Sequence, residues 1–196
     1  SMARSSMSMA AGCRCFNRNG SVSVMTGGTI SRHLVIMGVA GCGKSSLGAA
    51  VARAQGLALV EGDDFHGTEN RLKMSQGVAL TDQDREGWLK HLCEELQRQR
   101  GGAVLTCSAL KRQYRDRLRS AVPQLRFVFL DLTPEAAQQR VLARASHFFS
   151  ADLVDSQFAT LESPVGEPGV LRVDAAASID DLQAQVGDWL NRPVLA

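Results

Sequence analysis

The sequence predicts an α/β fold built on a parallel sheet. Two observations carry this. After Ser31 the chain alternates short apolar runs with longer helical stretches, the order expected of strand–helix–strand units. Early in that alternation, Gly38-Val39-Ala40-Gly41-Cys42-Gly43-Lys44-Ser45 fits G-x-x-x-x-G-K-[ST], a phosphate-binding loop set between a strand and a helix.

The first strand is read at about 33–37, from the apolar run Leu34-Val35-Ile36-Met37. The amphipathic stretch after the loop extends to about Gln55, and Leu57–Glu61 reads as the second strand. Residues 67–76 and 82–100 read as helices, with Thr81 the N-cap before Asp82. Ala103–Cys107 is the third strand, followed by a basic helix over about 110–120. Arg126–Leu130 is the fourth strand. Thr133-Pro134 then supplies an N-cap and a proline at the first helical position, for a helix to about Ala145. A helix over about 150–161, a fifth strand at Val170–Val173 and a last helix over 179–190 complete the pattern, with Trp189 expected on the core. There is no internal repeat and no sign of a second domain.

The 196 residues suffice for one domain with a sizeable core. A net charge of +2 argues against a general nucleic-acid or membrane-surface binder. No apolar run approaches the roughly 20 residues needed to span a bilayer. The five cysteines form neither a disulfide framework nor a zinc-ligand spacing, which points to a reducing, cytoplasmic setting. Residues 1–31 are rich in Ser, Gly and Met and contain no acid. They are expected to be a disordered or non-native extension, with Ser1-Met2 suiting a tag remnant and Met25 another start. Their composition also suits an organellar transit peptide, without the amphipathic pattern of one. The domain proper is read as 32–196.

The loop carries the clearest chemistry. Its glycines let the backbone curl so that successive N–H groups face a phosphate, and the helix N-terminus adds partial positive charge there. Gly38 to Ser45, with Ser46, are the ATP-binding candidates. Lys44 can reach the β- and γ-phosphates, and the Ser45 hydroxyl can ligate Mg²⁺.

Beyond the second strand the chain reads Glu61-Gly62-Asp63-Asp64-Phe65-His66. Ligands of open α/β sheets bind past the carboxyl ends of strands. Asp63 is the candidate base for an attacking hydroxyl and Glu61 a weaker candidate for the metal's outer shell, while Asp64 reads as structural or solvated. A plain polar loop is the alternative. His66 suits either the site or a packed position. Arg71, Lys73 and Arg85 are candidates for holding an anionic, hydroxyl-rich substrate, each equally readable as part of a solvated helix face. Ser108 and Lys111, at the end of the third strand, should point to the same cleft. Arg115, Arg117 and Arg119 read as a wet basic face. Arg140 and Arg144 lie four apart on one helix face, ahead of a segment suited to a lid, where they could stabilise a transferring phosphoryl group. Asp131 imitates a metal-binding acid, but the acids after the second strand already fill that role. No N-K-x-D guanine motif occurs.

Taken together, these stretches resemble the small P-loop gluconokinases, relatives of shikimate kinase and the nucleoside monophosphate kinases. The likeness rests on M-G-V-A-G-C-G-K-S (37–45), E-G-D-D-F-H (61–66), N-R-x-K-M (70–74) and G-x-x-L-T-D-x-D-R (77–85). It continues in C-S-A-L-K-R-x-Y-R-D (107–116), R-V-L-A-R-x-x-H-F-F (140–149) and Q-F-x-T-L-E (157–162). The resemblance implies a three-layer P-loop kinase fold, a five-stranded parallel sheet flanked by helices with a mobile lid, and a homodimer. It implies transfer of the ATP γ-phosphate to the C6 hydroxyl of D-gluconate. By position it gives Lys44 and the loop the phosphates, Ser45 the Mg²⁺, Asp63 the acceptor hydroxyl, and Arg140 and Arg144 the lid side. His66, Arg71, Lys73, Arg85 and Lys111 fall on the substrate side. Gly67 and Gly87 stand where the family usually has proline. A same-fold kinase for another small acid, such as shikimate, and a non-catalytic ATP-binding sensor are the alternatives.

Overall fold

Short, wholly apolar runs make the centre of the sheet. β1 (Leu34–Met37) and β3 (Ala103–Thr106) are buried at every residue, which is possible only for strands covered on both faces. The structure, a computed structural model, describes residues 32–143 and 151–192. With β2 (Ala58–Glu61), β4 (Arg126–Asp131) and β5 (Val170–Asp174), these strands form one parallel sheet in the order β2-β3-β1-β4-β5. Leu34 is in register with Val104 on one side and Arg126 on the other. The chain thus winds both ways from β1, and the crevice beyond β1 and β3 is the switch point where such sheets take ligands.

Alternation along β1 divides the core. Leu34 and Ile36 face a cluster with Leu47 and Val51 of α1 (Lys44–Gln55) and Leu182 and Val186 of α7 (Ile179–Leu190). Val35 and Met37 face Trp88, Leu92 and Leu96 of α3 (Asp82–Arg98) and Tyr114 and Leu118 of α4 (Arg112–Ala121). The result is the expected three layers with five parallel strands. The remaining helices are α2 (Thr68–Ser75), α5 (Pro134–Ala143) and α6 (Ala151–Thr160). Trp189 packs partly buried on the first cluster, with the Arg126 guanidinium 5.1 Å over its ring. The segment suited to a lid, Arg144 with it, falls outside the described residues, as do residues 1–31.

Several boundaries differ from the sequence reading, each for a local reason. Leu57 is not in β2, because Gly56 turns left-handed at the end of α1 and Leu57 N–H still donates to Ala52 O. α4 starts at Arg112, later than read, because Glu162 accepts from its backbone N–H at 2.6 Å. Thr81 does cap α3, in a reciprocal capping box with Asp84. Thr133 Oγ1 accepts from Ala136 N–H ahead of α5.

The wet basic face read for α4 needs correction. Arg115 is fully buried. Its Nη2 pairs with Glu167 at 2.5 Å, and its Nη1 donates to Ala109 O and Leu110 O at 2.9 and 3.0 Å. Arg119 reaches the same carboxylate at 2.7 Å and lies over the Phe127 ring. Arg117 alone behaves as expected, with a long contact to Glu86 at 3.9 Å. A guanidinium survives burial only where each face of its fork meets an acceptor, and that condition is met here.

Candidate active site

The phosphate loop is built from backbone. Gly38 has φ +144°, and a Cβ there would lie 2.8 Å from Leu130 O and from Cys42 Sγ. A Cβ on Gly41 would come 2.9 Å from Ala137 O, so α5 rests directly on the loop. Gly43 caps α1 with no side-chain acceptor and no acid in the first turn. The N–H groups of that turn therefore stay open to an anion. The Lys44 ammonium crosses the loop and donates to Gly38 O and Val39 O at 3.1 and 3.0 Å. Val39, Ala40 and Cys42 are buried beneath it, so the Cys42 thiol faces the core. Ser45 and Ser46 are exposed at the start of α1.

Ser45 Oγ donates to Glu61 Oε2 at 3.0 Å, and Thr106 Oγ1 donates to the same oxygen. A serine hydroxyl beside an oriented carboxylate at the mouth of a phosphate loop is a set of hard oxygen donors. That chemistry fits Mg²⁺, which takes few protein ligands and keeps its waters. Thr106, the last residue of β3, was missed from the sequence. Only the pairing of β2 with β3 brings it to Glu61.

Beside the loop opens a small cleft of about 120 Å³. Asp63, His66, Arg85, Ser108 and Gln157 line it. Asp63 sits exposed in the single 3₁₀ turn Gly62–Phe65 that ends β2. His66 is buried and stacks on Trp88, with ring centroids 4.5 Å apart and planes 10° from parallel. Trp88 is held in turn by its Nε1–H, which donates to Gly62 O at 2.7 Å. Burial pushes the His66 imidazole down to about 4. Asp63 works against that shift, and Arg85 and Arg71 add to it. The ring is therefore neutral at pH 7, and its Nδ1 is buried with no hydrogen-bond partner among the described residues. An orphaned buried nitrogen lining a cleft is a group ready for a ligand's hydroxyl. Arg85 leans on the backbone at Leu80 O and over the Tyr114 ring at 5.8 Å. Ala109 closes the floor in the left-handed region at φ +44°, held there by Arg115 on its carbonyl.

The other cations read for the substrate side do not line this cleft. Arg71 is exposed and braces the turn before α2, donating to His66 O and Asp64 O at 2.9 and 2.7 Å. Lys73 pairs with Asp84 at 2.6 Å. Lys111 pairs with Asp82 at 2.7 Å, where Tyr114 Oη and Gln113 also donate. These hydrogen bonds, that of Lys111 foremost, hold Asp82 down at about 2. Arg140 donates to Ala175 O at 3.0 Å, beyond β5. Asp131 is engaged by Arg172 at 2.6 Å. Two functional candidates were not assigned from the sequence. Gln157 accepts from Ala40 N–H in the loop, and Glu167 anchors Arg115. Gln157 opens the Q-F-x-T-L-E stretch, which signalled it without giving it a role.

A phosphate loop at the switch point of a parallel sheet, beside a small cleft where Asp63, His66 and Arg85 stand among apolar side chains, makes this an ATP-dependent small-molecule kinase of the P-loop class. A family model described as an AAA domain matches residues 34–168. The chain is 45% identical to a probable gluconokinase of Schizosaccharomyces pombe over 143 residues, 68% of this chain and 74% of that protein. It is 44% identical to a gluconokinase of Gluconobacter oxydans over 146 residues, 72% of this chain and 82% of that one. The crystal structure of a gluconokinase from Sinorhizobium meliloti superimposes with a TM-score of 0.78 at 42% identity, covering 84% of this chain and 94% of that chain. An APS kinase of Mycobacterium tuberculosis, at 22% identity and a TM-score of 0.60, shares the fold. The chain belongs to the gluconokinase family.

Proposed function

We propose that the protein transfers the γ-phosphate of ATP to the C6 hydroxyl of D-gluconate, giving 6-phospho-D-gluconate and ADP. The observation that carries this reading is the meeting of Asp63, neutral His66 and Arg85 in one cleft beside the phosphate loop. A sugar acid has one carboxylate and a run of hydroxyls. Arg85 suits the carboxylate, because its fork matches two oxygens. The uncharged His66 ring suits a hydroxyl. Asp63 takes the proton of the C6 hydroxyl as its oxygen bonds the γ-phosphorus and the bridge to ADP breaks. Lys44 and the loop N–H groups hold the phosphates, and Arg140 and Arg144 belong to the phosphoryl side. Mg²⁺, held through Ser45 with Glu61 in its outer shell, would neutralise phosphate charge when bound with ATP. Arg71, Lys73 and Lys111 act behind the cleft through the loops they brace. The free thiols Cys42, Cys93 and Cys107 suit a reducing, cytoplasmic setting. The homodimer implied by the family resemblance is checked by light scattering, and 32–196 is read as one kinase domain behind an extension.

The test is ADP release with Mg-ATP against D-gluconate, related aldonic acids, shikimate and water. Gluconate-dependent release with 6-phosphogluconate as product supports the reading. Release with a different acid would overturn the substrate, and none from folded protein would leave an ATP-binding sensor. Asp63→Asn should keep ATP binding nearly intact and collapse turnover; normal turnover would end the assignment of the base.

A further inference from the structure

We propose that Gln157 joins the two halves of the site, fixing the phosphate loop with one end of its amide and holding the acceptor with the other. The inference rests on the reading of the cleft as the gluconate site. Gln157 lies on α6, which packs along α5 and is tied to it where Gln138 Nε2 donates to Asp155 Oδ1 at 2.7 Å. From there its Oε1 accepts from Ala40 N–H at 2.6 Å, across 117 residues of sequence.

The polarity of that bond settles the orientation of the amide. Ala40 presents a donor, so the near atom must be the oxygen and the NH₂ is the outer end. Ala40 is 8% exposed, and a buried N–H left unmet costs more than a made bond returns. Within the same turn of the loop, Lys44 takes the carbonyls of Gly38 and Val39. Gln157 therefore completes the hydrogen bonding of the loop's first half.

The outer end faces chemistry. Gln157 lines the cleft with Asp63, His66 and Arg85. Among the described residues its Nε2 has no hydrogen-bond partner. Two N–H donors stand where the loop meets the cleft, at the reacting end of the acceptor rather than its carboxylate end. They fit the oxygen of a hydroxyl next to the one that is phosphorylated. Acceptor binding thus restrains the same side chain that shapes the phosphate loop.

Two variants separate the ends. Gln157→Met removes both, whereas Gln157→Glu keeps an oxygen for Ala40 and removes the donors. Wild-type protein is assayed first, so that a failure of the gluconate reading shows there and not in the variants. Thermal melting confirms folding. Both variants should raise the KM for gluconate about tenfold and lower kcat, the size of one lost hydrogen bond at a reacting centre, and only Gln157→Met should also raise the KM for Mg-ATP. A Gln157→Glu protein with the wild-type gluconate KM would overturn the acceptor role. So would a Gln157→Met protein altered only in its KM for ATP, or one unaltered altogether.

Discussion

The two sides of the cleft are built from different materials. The nucleotide side is backbone: a loop whose shape is set by glycines, leading into a helix whose first-turn N–H groups have no side-chain cap. The acceptor side is side chain locked by side chain, His66 on Trp88, Lys111 on Asp82 and Arg115 on Glu167. A backbone site is defined within eight consecutive residues and tolerates little change inside them. A side-chain site is assembled from partners tens of residues apart, and its failure modes are lost charges and lost packing. Mutations should therefore break the nucleotide side through activity, and the acceptor side through stability as well as activity.

The largest effect is expected on the backbone side. Gly38→Ala places a Cβ against Leu130 O and Cys42 Sγ at 2.8 Å, in a conformation that alanine rarely adopts. The loop must move, and a small displacement of phosphate ligands costs about a hundredfold or more in rate. The expected result is a collapse of kcat/KM for Mg-ATP. An active Gly38→Ala enzyme would show that the loop's shape is less demanding than its glycines imply.

The acceptor side should answer in stability. Glu167→Leu leaves the fully buried Arg115 with carbonyl partners alone, and breaking a buried pair in this way costs about 3–5 kcal/mol. Adding Arg115→Met should recover most of it, because two apolar groups leave no stranded charge. Urea denaturation of the single and double variants reads both values. The pair also has an acid limb. Burial raises the Glu167 carboxyl, but the hydrogen bonds of Arg115 and Arg119 outweigh it and hold it below its ordinary value. A depressed carboxyl stabilises above its unfolded pKa, and that share is lost as pH falls through the folded value.

This contrast also explains what could be read from the sequence. The strand–helix alternation, the loop and the Thr81 cap are local patterns, and each appears where it was expected. The position of Asp63 follows from its place at the end of β2. Arg115 was misread because its helix is rich in arginine, and those at 112 and 117 do sit on solvated faces. Nothing in residues 107–121 announces a carboxylate at 167. Lys73 and Lys111 looked like substrate cations for the mirror reason, since their acids lie 11 and 29 residues away. Pairing across such distances is a property of the fold, not of any window of sequence.

His66 gives a smaller, pH-dependent test. Its folded value of about 4 lies below the ordinary 6.5, so between these pH values the unfolded chain binds a proton that the folded one refuses. Stability should rise with pH over that window, by at most about 3 kcal/mol less what solvent screening removes. His66→Phe keeps a ring on Trp88 and should flatten the slope between pH 4 and 6.5. A slope unchanged in that variant would assign it to other groups.

The smallest effect is the sharpest test of which cations meet the acceptor. Arg85 lines the cleft, so Arg85→Met should raise the KM for gluconate about ten- to a hundredfold, the range for a lost charged hydrogen bond. Lys111 already has its ammonium on Asp82 at 2.7 and 2.8 Å and is absent from the lining. Lys111→Met should change that KM less than about threefold, the residue of a loop slightly loosened. Equal effects of the two substitutions would mean that Lys111 leaves Asp82 when the acceptor arrives. The acceptor side would then be a set of exchangeable pairs, with Asp82 holding the cation only until a substrate carboxylate replaces it.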